Sequence, residues 1–370
     1  RRTLGRAMRR LVPPQRRIPG CLHFKGNARM SLDLASLIPS FRRFQLIYVA
    51  LRLNLPPLLA SGPKTLEELA AATAVPALRL LRLIRGLLWA EILIPTPEGF
   101  QLTDEARQLI DTSSDSLAEG FLFHGSFFYS SWGHLYDFFR SGDNPCEKAH
   151  GGGVFERITA SPDLAALFNQ AMTSHTGRYA DAFLALPEFT TAQTIVDVGG
   201  GEGQLLVDIL TAYPKLRGIV FDLPTTRESA ERLLAQSLLS DRCKFISGNM
   251  FLAVPPGGDV YILKSILHDW DAEKCVQLLQ NIEKVMLPDA RLLLIERIMP
   301  YDLEQSISMT TADLNMLCLN GGAERTADEF ASLLALAGFK LIGVVRLENV
   351  FGFHALSCMP KKTAGPQATD

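Results

Sequence analysis

Asp197 and four glycines, Gly199, Gly200, Gly201 and Gly203, stand together behind an apolar run in "TIVDVGGGEGQ" (194–204). Glycines clustered after a strand let backbone approach something that a Cβ would exclude. A dinucleotide fingerprint needs G-x-G-x-x-G, and no glycine stands three after Gly201. The lysine of a G-x-x-x-x-G-K-[ST] loop is also absent, so phosphate is the weaker ligand. Downstream, Asp222 ends the next apolar run, "IVFDLP", where a carboxylate can accept hydrogen bonds from ribose hydroxyls. A ribose with no phosphate to cradle points to a nucleoside-type cofactor, S-adenosylmethionine foremost. The purely structural alternative is a tight glycine turn with Asp222 capping the next helix.

The elements that would hold these residues alternate. From Thr194 the chain runs "TIVDVG", "GQLLVDILTAY", "LRGIVFDL", "TRESAERLLAQSLL", "CKFISG", "GDVYILKSIL", "DAEKCVQLLQNIEKVM" and "ARLLLIERI". Short, near-continuously apolar strands between helices predict an α/β fold with a doubly wound, mostly parallel sheet. The last two strands, "FKLIGVVRL" and "FGFHALSCM", are joined by too little chain for a crossover helix and should pair antiparallel.

Upstream the pattern is helical. "FRRFQLIYVALRLNLPPLL" reads as a helix ending at Pro56-Pro57. Thr65 and Glu68 form a capping-box pair before "LEELAAAT". Another helix follows Pro76, then a hairpin turning at Glu98-Gly99. Three helices and a hairpin are a winged-helix pattern. Arg79, Arg82 and Arg85 could face nucleic acid, or form the solvated side of a helix whose Leu80, Ile84 and Leu87 pack inward. Neighbouring acids such as Glu67, Glu68 and Glu91 favour the second reading. Residues 118–190 form a helical, aromatic-rich segment, with nine Phe, Tyr or Trp rings between Phe121 and Phe139. The expected organisation is a basic tail (1–29), a winged-helix-like domain (30–117), a linker and pocket segment (118–190), a catalytic domain (191–361) and a short tail (362–370).

Composition narrows the partners. The 370 residues are 47% hydrophobic and 21% charged with net charge −2, ample for two domains and without pull toward nucleic acid or anionic membrane. No apolar run approaches the roughly 18–20 residues of a membrane span. The six cysteines are scattered, with no C-x-x-C pair, which argues for a reducing compartment, the cytoplasm, and against a zinc or disulfide framework. No H-E-x-x-H motif suggests a metal. Residues 1–29 carry nine Arg or Lys and no acid. They read as a disordered tail, as sequence upstream of a start at Met30, or as an Arg-rich transit peptide.

Four further stretches complete the pattern: "GNMF" (248–251), "LKSILHDWDAEKC" (263–275), "LIERIMP" (294–300) and "GGAERTADEF" (321–330). In content, order and spacing the chain resembles the S-adenosylmethionine-dependent O-methyltransferase family of caffeate- and acetylserotonin-type enzymes and bacterial natural-product methyltransferases. The resemblance runs from about Met30 to Met359. It implies a Rossmann-like catalytic domain, an N-terminal winged-helix-like dimerisation domain, a homodimer and an aromatic small-molecule acceptor. It places the cofactor against Gly199, Gly201, Asp222, Leu223, Asn249, Met250, Lys264 and Thr176. Asn249 stands where the family usually has Asp; its amide oxygen can still accept a hydrogen bond, but the lost charge implies weaker cofactor binding. The resemblance makes His268 the general base, with Glu296 and Glu324 as its carboxylate partners, and puts Phe168, Met172 and Met316 against the acceptor. An imidazole near ~6.5 is mostly neutral at pH 7 and can take a phenolic proton. Asp269 competes as a partner by adjacency, though its side chain is expected to cap the helix at Ala272 instead.

Two other functions stay open on the sequence. Some family members keep the cofactor but hydroxylate, decarboxylate or run pericyclic steps. A DNA-binding regulator would use the winged helix.

Overall fold

The computed structural model of the chain describes residues 34–110, 116–302, 306–348 and 350–361. The basic tail expected at 1–29 and the tail at 362–370 lie outside the described residues. These group into two units: one runs to Gly133 and takes in Ala166–Ala171, the other holds His134–Ala165 and everything from Met172.

The first unit is built from α1 (Ser40–Arg52), the short turn Leu55–Leu58, α2 (Leu66–Thr73), α3 (Ala77–Trp89) and the antiparallel strands β1 (Leu93–Thr96) and β2 (Gly99–Leu102). Helix α1 stops earlier than its prolines suggest. Asn54 takes a left-handed φ of 57°, and Pro56 and Pro57 then open the next short helix. A first turn has no N–H partner to lose, so proline is tolerated there. The Thr65 capping box forms: its hydroxyl accepts from Glu68 N–H at 3.2 Å, and the Glu68 carboxylate accepts from Thr65 N–H at 2.7 Å. In α3, Leu80, Ile84 and Leu87 are buried while Arg79, Arg82 and Arg85 are exposed. The aromatic segment contains a π-helical turn, His124–Phe128. Gly125 lets it lie on the ring of Tyr48, which a Cβ would strike. Phe168 joins this unit, its ring centroid 6.0 Å from Phe123 and 5.9 Å from Phe127.

The second unit is a seven-stranded sheet in the order β5-β4-β3-β6-β7-β9-β8. Strands β3 (Thr194–Val198), β4 (Arg217–Asp222), β5 (Cys243–Ser247), β6 (Val260–Lys264) and β7 (Arg291–Arg297) are parallel. Strands β8 (Phe339–Arg346) and β9 (Phe353–Pro360) are antiparallel, β9 lying between β7 and β8. Alternate residues serve opposite faces. Ile195, Ile262 and Leu293 pack with α5 (Gln204–Ala212) and α6 (Arg227–Gln236). Val196, Leu263 and Leu292 pack with α7 (Ala272–Glu283) and α9 (Ala327–Leu336). Both faces are covered, which is why the strands lack polar alternation. Charges interrupt the apolar pattern at or near the carboxyl ends: Asp197 of β3, Asp222 of β4, Lys264 of β6, and Glu296 and Arg297 of β7. Strand order reverses between β3 and β6, so those ends form the crevice where such sheets bind ligands.

Among the described residues the cysteines are free and buried, and no helix is long and apolar enough to cross a membrane. Thr65→Ala removes one half of the capping box. It is expected to lower the stability of the first unit by about 1 kcal/mol, read as a lower urea midpoint.

Candidate active site

The glycine loop is shaped by its neighbours. Gly199, Gly201 and Gly203 all take positive φ (74°, 58° and 91°). A Cβ at Gly199 would lie 2.5 Å from Ile266 Cδ1, and one at Gly200 2.7 Å from the Asp197 carboxylate. At Gly201 a Cβ would meet nothing within 4 Å, so that stretch of backbone faces open space. Asp222 is tied into the loop rather than into the next helix: Oδ2 accepts from Gly201 N–H at 2.7 Å and Oδ1 from Leu223 N–H at 2.6 Å. Each oxygen keeps a further lone pair. Gly248 N–H donates to the Asp222 carbonyl at 2.9 Å, which brings Asn249 and Met250 alongside.

Asn249 departs from expectation in one respect. Its amide oxygen already accepts from Phe251 N–H at 2.9 Å, closing a local turn. Met250 packs against the apolar cluster beneath α7, and its carbonyl accepts from Asn281 at 3.1 Å. Thr176 is buried and hydrogen-bonds the Met172 carbonyl of its own helix, α4 (Pro162–Arg178), at 2.9 Å. Thr173 reaches the loop instead, donating to Glu202 at 3.0 Å. Met172 and Met316, the latter on α8 (Thr310–Asn320), are half-buried in this unit. Phe168 sits in the aromatic cluster of the other.

His268 lies on a single turn, Leu267–Asp269, just after β6. Ser265 adopts φ 55°, and the two N–H groups that follow, of Ile266 and Leu267, donate to Glu296 Oε1 at 2.9 and 2.7 Å. Arg325 grips the other side of the turn, its guanidinium donating to the carbonyls of Leu267 (2.6 Å) and Trp270 (2.5 Å). Ala323 N–H donates to the His268 carbonyl at 2.9 Å, and a Cβ on Gly322 would collide with that same carbonyl.

Three carboxylates surround the ring. Nδ1 is 3.3 Å from Glu324 Oε1 and 3.8 Å from Glu296 Oε2; Nε2 is 3.9 Å from Asp269 Oδ1. Asp269 does not cap α7. That role falls to Asp271, whose carboxylate accepts from Lys274 N–H at 2.8 Å. Asp269 is half-buried, held by Asn320 at 2.9 Å. Its place beside the ring follows from the tight turn, which keeps residue 269 folded back under 268.

The charge state of the ring also differs from the expectation of a mostly neutral imidazole. Burial pushes its pKa down, but Glu296, Asp269 and Glu324 outweigh that and raise it to about 9. Burial likewise raises Glu296 and Asp269, against the pull of His268. Glu324 is also pushed up by burial, yet the His268 and Arg297 charges bring it below its ordinary value. Beside the glycine loop, burial raises Asp197 to about 7, and burial lowers Lys264 to about 8 against the pull of Asp197 and Glu296. Glu202, Arg297, Asn320 and Arg325 are parts of the site that sequence reasoning missed. Only the "ERT" of "GGAERT" hinted at one of them. Among the described residues no group of His, Cys, Asp and Glu is arranged to hold a metal ion.

The donor set suits a nucleoside cofactor. A carboxylate with spare acceptor capacity stands at the loop, and open backbone faces outward at Gly201. The family model of the O-methyltransferase domain matches residues 132–340, more than half of the chain. The phenazine O-methyltransferase PhzM of Lysobacter antibioticus is 35% identical over 317 residues, 85% of this chain and 93% of that relative. The phenazine-1-carboxylate N-methyltransferase of Pseudomonas aeruginosa is 31% identical over 324 residues, 87% of this chain and 95% of that relative. Among solved structures, the O-methyltransferase NcsB1 of neocarzinostatin biosynthesis, in complex with S-adenosylmethionine and 2-hydroxy-5-methyl naphthoic acid, superposes with a TM-score of 0.77. That match has 26% identity and covers 90% of this chain and 99% of NcsB1. With the glycine loop, the Asp222 carboxylate and these relatives in agreement, the chain belongs to this family and is an S-adenosylmethionine-dependent O-methyltransferase.

Proposed function

We propose that the enzyme methylates a hydroxyl oxygen of an aromatic, phenolic or polyketide-like acceptor in natural-product biosynthesis, with His268 as general base. The observation that carries this reading is the buried ring whose Nδ1 faces Glu324 and Glu296, so that Nε2, 3.9 Å from Asp269 Oδ1, is the nitrogen proposed to take the proton. The relatives support the acceptor class: one is a phenazine O-methyltransferase, and NcsB1 was solved with a hydroxynaphthoic acid. The acceptor role of Phe168, Met172 and Met316 rests on the family match alone.

The cofactor supplies an electrophilic methyl group on a sulfonium. The chain supplies the rest. Asp222 is proposed to accept from the ribose hydroxyls, with Leu223 beside it. Asn249 and Met250 meet the adenine; Gly199, Gly201, Lys264 and Thr176 serve the remainder. His268 removes the acceptor proton, and Glu296 and Glu324 hold the tautomer and stabilise the resulting cation.

Magnitudes favour a strongly basic imidazole. A phenol titrates near ~10. With the ring at about 9, proton transfer within the bound pair is uphill by about 1.4 kcal/mol. An imidazole at ~6.5 would face about 4.8 kcal/mol. The consequence is pH dependence: the base works when unprotonated, so transfer should rise with pH through a limb well above 6.5. Glu324→Gln removes a negative charge facing the ring and lowers its proton affinity, so the limb should move to lower pH. A limb that stays in place would count against the pairing.

The direct test uses labelled S-adenosylmethionine and a panel of hydroxy-aromatics. His268→Ala is expected to lose about 10²- to 10⁴-fold in transfer rate; undiminished transfer would overturn the assignment. Gly322→Ala should displace the turn and lower kcat by about 10²-fold, while cofactor affinity, read by calorimetry, holds.

A homodimer formed through the first unit is part of this proposal. Its support is the exposed apolar residues Ile38 (66% exposed), Phe41 (53%) and Trp89 (47%), and an open groove of about 450 Å³ lined by Phe41, Arg42, Gln45, Leu46, Val49 and Trp89. Exposed apolar surface of this kind marks association sites. Phe41→Asp should shift the protein to monomer in sedimentation; a wild-type monomer at all concentrations would refute the dimer.

A further inference from the structure

Arg297 follows Glu296 at the end of β7 and has no part in the chemistry described so far. Its Nη1 lies 3.5 Å from Glu324 Oε1, the same oxygen that stands 3.3 Å from His268 Nδ1. Its Cζ lies 4.6 Å from the ring centroid of Phe353, the residue paired with it across the β7–β9 ladder. Its side chain is only 20% exposed, and its Nε is buried with no acceptor among the described residues. The guanidinium is therefore held by one aromatic face and one carboxylate, and that carboxylate is shared with His268.

A shared anion divides its pull. Around the ring stand Glu296 from β7, Glu324 from the segment before α9, and Asp269 from the ring's own turn. Facing Glu324 stand His268 and Arg297, with the acids Asp313 and Asp269 nearby. Lys264 lies on the side of Asp197 and Glu296, and Arg325 is spent on the carbonyls of Leu267, Trp270 and Ala323. Among the described residues Arg297 is the one permanent cation in ion-pair contact with the base's carboxylates. Three acids with no such cation would hold a proton on the ring too firmly for it to act as a base.

We propose that Arg297 is a positioning residue that keeps Glu324 ionised and limits how tightly His268 retains its proton. This rests on the reading of His268 as the base paired with Glu324. A positive charge within a few ångströms lowers the proton affinity of its neighbours, and its removal raises it. Lysine in its place would keep the charge and lose the planar fork.

The test reads His268 directly. Ring resonances of the full-length, cofactor-free enzyme are followed by NMR against pH, with His268 assigned through a His268→Gln variant. In Arg297→Met and Arg297→Gln the His268 midpoint should rise by about one pH unit, and in Arg297→Lys it should stay near wild type. The acidic limb of the pH–rate profile should move the same way. Should the Met variant fail to fold, the Gln variant decides. Midpoints matching wild type in the neutral variants would overturn the proposal, as would a Lys variant that shifts as far as they do. The titration needs no turnover, so it separates the two readings. Full transfer by His268→Ala would remove the base assignment and leave the Arg297 effect measurable. An unmoved midpoint would remove the Arg297 role and leave the base assignment intact.

Discussion

A carboxylate buried at the end of a parallel strand is costly unless something charged or strongly polar meets it. Glu296 meets backbone: the N–H groups of Ile266 and Leu267 both point at one of its oxygens. They can do so because Ser265 is left-handed, a conformation that costs a non-glycine residue roughly 1–2 kcal/mol. The two hydrogen bonds offset both the strain and the burial of the carboxylate, and they fix the turn that carries His268. Arg325 and Ala323 then secure the same turn through its carbonyls and the His268 carbonyl. Very little freedom is left at the ring, which is what proton transfer to a positioned group requires.

The same sheet end organises the cofactor side. β3 and β6 are neighbours, with Asp197 opposite Ile262, two residues before Lys264. Asp197 packs under Gly200, where a Cβ would meet its carboxylate. The glycine loop therefore answers two demands, a buried acid beneath it and open backbone above it at Gly201. The loop and His268 follow strands on either side of one switch point. Ile266, two residues before His268, occupies the space a side chain at Gly199 would need, so the conformation of each restricts the other.

Local signals were legible in the sequence. Alternating strands and helices, the Thr65–Glu68 box, the antiparallel final pair and the place of Asp222 each depend on residues close together in the chain. Non-local consequences were not. The first helix ends at Arg52 because Asn54 turns left-handed, while its apolar spacing runs on to the prolines. The cap expected of Asp269 falls to Asp271, the residue directly before the helix, and the turn at Leu267 leaves Asp269 beside the ring instead. Most of all, the charge state of His268 depends on acids at 269, 296 and 324, whose convergence is a property of the fold. A residue type carries its solution pKa, and much of the correction here comes from Glu296 and Glu324, which are distant in the sequence and close only in the fold.

That correction bears on the proposed role of His268 as a base. Stabilising the imidazolium brings the ring close to a phenol in basicity and makes proton transfer nearly level. The same stabilisation leaves a ring of pKa about 9 neutral in only about 1% of molecules at pH 7, a penalty of about 2.7 kcal/mol. More carboxylates would deepen both effects together, so adding acids alone does not improve the base. A fixed cation on the shared carboxylate relaxes both effects together, so it sets the ring between a free imidazole and one flanked by three unopposed acids. Arg297 sits where such a cation has to be, against Glu324 and out of the ring's way on the face of Phe353.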